Sequence, residues 1–344
     1  MVQKLLELGK NNKVLFIATF GYGDLIMALP AIVKYIQFNK LTEIGFVFYN
    51  PAYKYIINII EPLKNIRIKY FYRKTSKKPI SFHLYLVKDL FLKYDTVINL
   101  FPHQGIDSAL FMLLIQAKKR IQQLYDYKVF KGVHWFLTDY KEVLDDHITV
   151  NNNYLLNSIK NAPSLNGLVN LEIYKVKKAN IIGIHAGYNS VSEYKKWPIE
   201  YWIILLKKLK ESILFQKYKF RMFWGPDEQD VFKTFDNECK NLDIDHIKLS
   251  LDQVIIKVSE CNYFVGSDGL FGHLAALFDI KQLILFGDTM PKYCKPLSDK
   301  LYIISKNKNN ENLPYNSKIK QFSFCIKDIS AEQVEKSLIE ILEI

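Results

Sequence analysis

The chain has 344 residues, a length that corresponds to about two domains of ordinary size. Hydrophobic residues make up 49% and charged residues 24%, which is typical of globular proteins and excludes a disordered or fibrous chain. Lys and Arg outnumber Asp and Glu by 47 to 35, giving a net charge of +12. This excess fits an anionic substrate, an anionic membrane or a nucleic acid, and it also fits a lysine-rich composition without functional meaning.

The sequence gives no sign of a signal peptide or a membrane-spanning segment. Its apolar stretches are far shorter than the ~20 residues that a bilayer span requires, and no small-residue cleavage site follows the N-terminal residues. Cysteine is rare, with four residues and no C-x-x-C pair, which argues against a zinc ribbon and suits a reducing compartment. We therefore expect a cytoplasmic protein.

Short apolar runs alternate with helical patterns along the first half of the chain. The runs Val14–Thr19, Glu43–Tyr49 and Thr96–Leu100 are typical of buried parallel strands. A helical pattern covers about Asp24 to Gln37, and another covers Ser108–Lys118. Strands that alternate with helices predict βαβ units and a parallel sheet.

The same alternation starts again after a polar stretch at residues 160–179. A helix at Asn151–Ile159 precedes this stretch. The elements predicted after it are strands at Ile181–His185, Lys219–Trp224, Tyr263–Gly266 and Gln282–Phe286, and helices at Pro198–Lys210 and Ala331–Leu342. We therefore predict an α/β protein of two Rossmann-like domains, residues 1–168 and 169–344. Open α/β sheets bind ligands outside the carboxyl ends of their strands, so motifs at those ends form the candidate site.

The first such motif, Phe20–Asp24 (FGYGD), directly follows the first predicted strand. Its glycines allow a sharp turn and a close approach to a ligand, and the helix start that follows attracts anions. A dinucleotide fingerprint would need a third glycine where Ile26 stands, so NAD binding is not expected. Asp24 is either an N-cap residue or a general base at the floor of a cleft.

Two further motifs follow predicted strands of the second half. Lys195, just before a helix start, can add a positive charge to a phosphate site; the alternative is a solvated lysine beside a core tryptophan. Glu228 ends the turn Trp224–Glu228 and can accept hydrogen bonds from ribose hydroxyls, although turn chemistry alone also explains that sequence.

The segment Gly266–His273 (GSDGLFGH) gives the sharpest local signal. Gly269 and Gly272 precede an apolar helix and leave backbone N–H groups available at its start, an arrangement that binds anions. His273 can donate to a phosphate oxygen, and Asp268 can orient or cap the loop. The alternative is a capped helix start that binds nothing.

Metal and hydrolase chemistry have little support in the sequence. The histidines show no H-x-H or H-x-x-x-H spacing, and a turn explains the D-x-D at Asp243–Asp245 better than a metal does. No G-x-S-x-G elbow is present. We expect no metal and no bound cofactor.

Taken together and in this order, the motifs resemble those of glycosyltransferase family 9, the bacterial lipopolysaccharide heptosyltransferases. The segments that carry the resemblance span nearly the whole chain and are Phe20–Ala31, Tyr94–Leu100, Ser108–Ile121, His147–Ile159, Ile182–Gly187, Lys195–Pro198, Gly266–Ala276, Phe286–Thr289 and Cys325–Ile329. The resemblance implies a GT-B fold, in which an N-terminal acceptor-binding domain and a C-terminal nucleotide-sugar-binding domain face each other across a cleft.

The resemblance also implies the reaction, a metal-independent, inverting transfer of heptose from ADP-heptose to an anionic, lipid-linked glycan such as the lipopolysaccharide core. On the family pattern Asp24 is the catalytic base, and Lys195 with the amides of Gly269–His273 stabilises the departing diphosphate. The residues expected to contact the nucleotide sugar, besides Lys195, are Gly21, Gly23, Gly187, Tyr188, Glu228, Leu249, Asp268, Gly269, Leu270, Gly272 and His273.

The sequence departs from the family at Asn99, which stands in place of an acidic residue, and at two motifs of the second half. Gly269-Leu270 stands where the family has Ser-Gly, and leucine adopts positive φ less easily than glycine. Ala186 replaces a proline. These departures leave open a different nucleotide-sugar donor, or a non-catalytic homologue that only binds a sugar nucleotide. A sugar-nucleotide epimerase is a further alternative; nucleic-acid binding rests on charge alone, and we expect none.

The basic and aromatic stretch Arg67–Lys78 suggests a place for the acceptor. It can meet a phosphorylated lipid or the cytoplasmic face of the inner membrane, since each basic residue near such a surface adds ~1 kcal/mol. The alternative is a solvated loop.

Overall fold

The computed structural model describes residues 12–72, 81–100, 106–125, 133–174, 180–186, 193–306 and 325–342. The chain divides into two compact units, Met1–Ser164 and Leu165–Ile344. This division lies four residues before the predicted one, within the same polar stretch. The predicted loop Lys306–Lys320 lies, after its first residue, outside the described residues.

The first unit is built on a six-stranded parallel sheet in the order β3-β2-β1-β4-β5-β6. Its strands are β1 (Val14–Ile17), β2 (Glu43–Phe48), β3 (Arg67–Tyr72), β4 (Thr96–Asn99), β5 (Lys119–Leu124) and β6 (Asp139–Glu142). Its helices are α1 (Tyr22–Phe38), α2 (Tyr53–Asn58), α3 (Ser81–Leu90), α4 (Ile106–Leu114) and α5 (Ile148–Asn157). Register pairs Ile17 with both Val47 and Asn99, so β1, β2 and β4 end at the same edge.

Side chains of β1 alternate between the two faces of this sheet, as the strand period of two requires. Leu15 and Ile17 join a buried cluster with Leu90 of α3 and Phe111 of α4. Phe16 points to the other face, where its ring meets Tyr35 of α1. The sheet is therefore covered on both faces, which is why its central strands are continuous apolar runs.

The second unit repeats this plan with a parallel sheet in the order β12-β11-β10-β7-β8-β9. Its strands are β7 (Ile181–His185), β8 (Lys219–Phe223), β9 (Ile244–Ile247), β10 (Tyr263–Ser267), β11 (Lys281–Phe286) and β12 (Leu301–Ser305). Its helices are α6 (Leu171–Tyr174), α7 (Ile199–Glu211), α8 (Gln229–Glu238), α9 (Leu251–Ser259), α10 (Leu270–Leu277), α11 (Pro291–Cys294) and α12 (Ala331–Leu342).

The core of the second unit lies between its sheet and two helices, α7 and α12. Trp197 and Trp202 are fully buried there, and Val334 of α12 packs in the same cluster. The predicted α/β fold with two Rossmann-like halves is confirmed. Among the described residues, no helix is both long and apolar enough to cross a bilayer.

Candidate active site

Asp24 lies in the first turn of α1, at the edge where β1 ends. The N-cap residue is Gly21, with φ −63° and ψ 157°, and Asp24 is the third residue of the helix. Its Oδ2 accepts a hydrogen bond from the Gly21 backbone N–H at 3.0 Å. The prediction that Asp24 itself occupies the N-cap is therefore wrong: the helix begins earlier and includes Gly23 in its first turn. The carboxylate still satisfies one of the free donors of the helix start.

Two tyrosines support the turn that carries Asp24. The Tyr53 hydroxyl donates to the backbone carbonyl of Phe20, and the Tyr22 ring stacks on Tyr53 with centroids 4.2 Å apart. The Tyr22 hydroxyl donates to Asn50 Oδ1 at 3.1 Å. Burial raises the pKa of Tyr53, and the Asp24 carboxylate adds to this, so the hydroxyl stays a hydrogen-bond donor. These hydrogen bonds and the ring stacking hold the Asp24 turn against the segment that follows β2.

A buried ion pair forms the centre of the candidate site in the second unit. Lys195 Nζ lies 2.6 Å from Asp268 Oδ2, and the Asp268 side chain is only 4% exposed. The Thr289 hydroxyl donates to the same oxygen at 2.9 Å. Asp268 follows β10 and Thr289 follows β11, so both lie at the carboxyl edge of the second sheet. The alternative of a solvated Lys195 is excluded.

Close packing holds the segment that carries Lys195. A side chain at Gly287, just after β11, would collide with the backbone carbonyl of Tyr194. On the other side, Trp197 is fully buried and its Nε1 donates to the Ile329 carbonyl at 2.8 Å. Gly287 therefore permits an approach that places Lys195 beside Asp268.

The ion pair fixes the charge of Lys195. Burial is the largest single influence and would lower the pKa of its ammonium group. The attraction and hydrogen bond of the Asp268 carboxylate, together with contributions from Cys294 and Tyr194, outweigh burial, so the pKa is raised. Lys195 is therefore a permanent cation over the physiological pH range. It keeps 24% of its side chain exposed, which leaves it accessible to a ligand.

The segment Gly269–His273 starts α10 in a way that differs from the prediction. Gly269 is the N-cap and is extended, with φ 174°, and Leu270 is the first helical residue, so neither needs positive φ. The departure at Leu270 therefore imposes no backbone strain. Gly272 is explained by packing, because a Cβ there would lie 2.9 Å from Ile284 Cδ1. His273 is 3% exposed.

Both carboxylate oxygens of Glu228 contact groups of the second unit. Its Oε2 accepts a hydrogen bond from the Gly225 N–H, and its Oε1 lies 3.3 Å from His185 Nε2. The His185 ring in turn stacks on Phe271 of α10, with centroids 4.0 Å apart. These contacts join the ends of β7 and β8 to the start of α10. Glu228 itself is 2% exposed, whereas Leu249, just before α9, is exposed.

Several predicted features lie elsewhere. Gly187 and Tyr188 are outside the described residues, as are residues 73–78 of the basic stretch. The D-x-D motif is not a turn, because Asp245 lies in β9 and pairs with Arg221 Nε at 2.6 Å. In the part of the chain that the structure describes, no three His, Cys, Asp or Glu side chains are grouped to hold a metal ion.

Three residues that build the site, Thr289, Gly287 and Tyr53, could not be identified as site residues from sequence patterns alone. Thr289 and Gly287 belong to the segment Phe286–Thr289, which was noted only for its resemblance to a family motif. Tyr53 gave no signal, since it contacts Phe20 across 33 positions of sequence. Contacts at this separation follow from the order of strands, which sequence patterning does not provide.

Comparison with known proteins identifies the family. The model of "Glycosyltransferase family 9 (heptosyltransferase)" matches residues 84–322, well over half of the chain. The matched segment includes the Lys195–Asp268 pair and begins after Asp24.

Individual relatives agree with the family match. Lipooligosaccharide heptosyltransferase 2 of Haemophilus influenzae is 27% identical over 115 residues, which span 32% of this chain and 32% of that protein. The glycosyltransferase family 9 structure from Veillonella parvula is 16% identical with a TM-score of 0.69, covering 96% of this chain and 97% of that one. ADP-heptose lps heptosyltransferase II from E. coli is 16% identical with a TM-score of 0.68, covering 96% and 98%. These structures have the same fold, and the chain belongs to glycosyltransferase family 9, the heptosyltransferase family.

Proposed function

We propose that this protein transfers heptose from ADP-heptose to an anionic, lipid-linked glycan of the lipopolysaccharide core type. The observation that carries the proposal is the buried Lys195–Asp268 pair with Thr289, beside the N-terminus of α10. A fixed cation and the free amides of a helix start are what a leaving diphosphate needs. The names of the relatives, which include heptosyltransferases, support the choice of sugar.

In this proposal Asp24 is the general base. The carboxylate takes the proton of the acceptor hydroxyl while that oxygen attacks the anomeric carbon, and the bond to the diphosphate breaks on the opposite face. One direct displacement of this kind inverts the anomeric configuration. The Gly21 N–H donates to Asp24 Oδ2, and this hydrogen bond orients the carboxylate at the start of α1.

Lys195 and the α10 start act on the leaving group. As the bond breaks, negative charge grows on the diphosphate, and the Lys195 ammonium with the amides of Gly269–His273 stabilises it. Asp268 keeps Lys195 in place and charged, and the Thr289 hydroxyl, which donates to Asp268 Oδ2, positions that carboxylate. In this proposal the protein's own groups stabilise the leaving diphosphate, and no metal ion takes part.

The remaining predicted contacts are assigned to the nucleotide sugar on the family pattern. Glu228 is proposed to contact the ribose and Leu249 the base, and Gly21 and Gly23 are proposed to contact the sugar. Gly187 and Tyr188, which follow β7 in the sequence, are also proposed to contact the nucleotide sugar. For Glu228 this requires the ribose to approach a carboxylate that already accepts the Gly225 N–H. We also place the protein in the cytoplasm, in peripheral contact with the inner membrane.

A panel of nucleotide sugars tests this proposal. The full-length protein is incubated with ADP-heptose, ADP-glucose or UDP-sugars, with and without a heptose-accepting core glycan, and with EDTA in parallel. We expect nucleoside diphosphate release from ADP-heptose that depends on the acceptor and survives EDTA. Tight ADP-heptose binding without transfer would instead identify a non-catalytic homologue. A preference for another donor, or loss of transfer in EDTA, would refute the corresponding part of the proposal.

A further inference from the structure

Helix α4 presents an apolar side to solvent. Leu110, Leu113 and Leu114 are spaced by three and four residues, which places them on one side of the helix, and each is 37–38% exposed. Trp135 is 80% exposed and lies in the short 3-10 helix Val133–Phe136, which packs against α4. A tryptophan this exposed is rare in a folded domain.

The turn after α3 extends this surface. The Leu92 N–H donates to the carbonyl of Ile115, just past the end of α4, at 3.1 Å. Leu92 is 66% exposed and Phe91 beside it is 43% exposed. We call the surface formed by Phe91, Leu92, Leu110, Leu113, Leu114 and Trp135 the α4 face. Large exposed apolar side chains grouped on neighbouring elements in this way mark an interaction site.

Positive charge lies on the same side of the sheet. Val47 and Phe71 face the core under α3 and α4, and Arg67 and Lys69 precede Phe71 by four and two positions along β3, so they point to the same side. One carboxylate, Glu43, meets three cations there: Lys69 at 2.9 Å, Arg67 at 3.4 Å and Lys13 at 3.7 Å. The cluster therefore keeps an excess of positive charge.

We propose that the α4 face docks on an anionic lipid bilayer. Tryptophan is enriched at membrane interfaces, where its ring contacts acyl chains and its N–H stays in the polar layer. Basic residues on the same side of the sheet add attraction to anionic head groups. A second copy of the chain fits less well, because two such faces would bring their basic clusters together. The proposal rests on the proposed function in one respect, since a lipid-linked acceptor requires an enzyme at the membrane.

Vesicle flotation with the full-length protein tests the α4 face. We expect binding to vesicles of phosphatidylcholine with phosphatidylglycerol, little binding to phosphatidylcholine alone, and weakening by salt. The double variant Leu92→Ser/Trp135→Ser is expected to lower binding by at least about tenfold, and Arg67→Gln or Lys69→Gln by about fivefold each. The matched control is Phe38→Ser, because Phe38 is 84% exposed on α1, which covers the other face of the sheet. Equal binding by all variants would overturn the proposal.

Tryptophan fluorescence gives a second readout. The other three tryptophans, Trp197, Trp202 and Trp224, are at most 4% exposed, so a change in polarity at the surface is reported by Trp135. We expect a blue shift of emission on adding anionic vesicles, and its disappearance in Trp135→Phe. An unchanged spectrum would overturn insertion of Trp135.

Two further measurements separate this inference from the proposed function. Transfer to a soluble, lipid-free acceptor should be retained by Leu92→Ser/Trp135→Ser, so loss of vesicle binding with retained transfer supports the α4 face as a membrane surface. If the wild-type protein binds vesicles but transfers no sugar, the proposed function is refuted, and the proposal that the α4 face binds membranes is retained. A dimer in light scattering that the same substitutions dissociate, without vesicle binding, would show that a second copy covers this face.

Discussion

The backbone N–H of Gly21 donates to Asp24 Oδ2 at 3.0 Å, and a side chain at Gly21 would begin only 2.9 Å from that oxygen. The second unit repeats the arrangement, because the Gly225 N–H donates to the carboxylate of Glu228, also three positions later. In both units, then, the backbone N–H of a glycine after a strand donates to an acidic side chain three positions later; Asp24 lies in the first turn of α1, and Glu228 is the N-cap residue of α8. This local role is separate from any role of Asp24 in transfer.

The capping role of Asp24 predicts different stabilities for two substitutions. Asp24→Ala removes the acceptor for the Gly21 N–H and is expected to lower the free energy of unfolding by ~1 kcal/mol. Asp24→Asn retains a side-chain oxygen in the same place and should unfold like the wild type. Urea unfolding of the three proteins measures this. Equal stability of Asp24→Ala and wild type would show that the hydrogen bond contributes nothing.

Burial distinguishes the Lys195–Asp268 pair from a surface pair of equal length. Lys195→Ala leaves the Asp268 carboxylate buried with only part of its partners, and we expect a loss of ~3 kcal/mol in unfolding free energy together with weaker ADP binding. Lys300 and Asp279 also lie 2.6 Å apart, but both are about half exposed, so Lys300→Ala should cost less than ~1 kcal/mol. Similar losses from the two substitutions would contradict this.

The raised pKa of Lys195 sets the pH dependence of nucleotide binding. A cation whose pKa is raised by folding keeps its charge below the usual lysine pKa of 10.5 and loses it only as the pH rises through the raised value. ADP affinity should therefore stay constant between about pH 7.5 and 9.5, where the diphosphate itself does not titrate. Isothermal titration calorimetry across that range measures it. A steep decline between pH 8 and 9 would mean that Lys195 is not held charged by Asp268.

Two glycines of one segment should respond differently to alanine. A Cβ at Gly272 would lie 2.9 Å from Ile284 Cδ1 and 3.2 Å from Pro296 Cγ, whereas at Gly269 the nearest atom is 3.9 Å away. Gly272→Ala is expected to destabilise the protein by ~1–3 kcal/mol through overpacking. Gly269 is extended, with φ 174°, so Gly269→Ala should fold normally. Thermal unfolding compares them, and equal melting temperatures would exclude the packing explanation for Gly272.

The central strands could be predicted from sequence because they are buried on both faces. The predicted ends of β1 and β7 lie within two residues of the observed ends. A continuous apolar run such as Ile181–His185 is stable only where both faces of the strand are buried. The edge strands β3, β6 and β12 and the inner strand β5 were not predicted, because their sequences mix charged or polar residues with apolar ones. A strand that is buried on both faces has a continuous apolar sequence, which can be recognised. A strand with charged or polar residues has no such run.

The sequence predicted which residues belong to the candidate site, but it did not predict which of them contact each other. Lys195 and Asp268 were both selected, but their pairing joins positions 73 residues apart and depends on the order β11-β10-β7 in the folded sheet. The same holds for Gly287, which matters only because Tyr194 approaches it. Motifs at strand ends identify candidate residues, and topology decides which of them meet.

The most direct test of the account is transfer by Asp24→Asn, measured in a single turnover with saturating ADP-heptose and acceptor. We predict a rate constant ~10²–10⁴-fold below wild type, the loss expected for a general base, with ADP affinity and urea unfolding unchanged. A wild-type transfer rate in this variant would contradict the account and limit Asp24 to a structural role in the turn after β1.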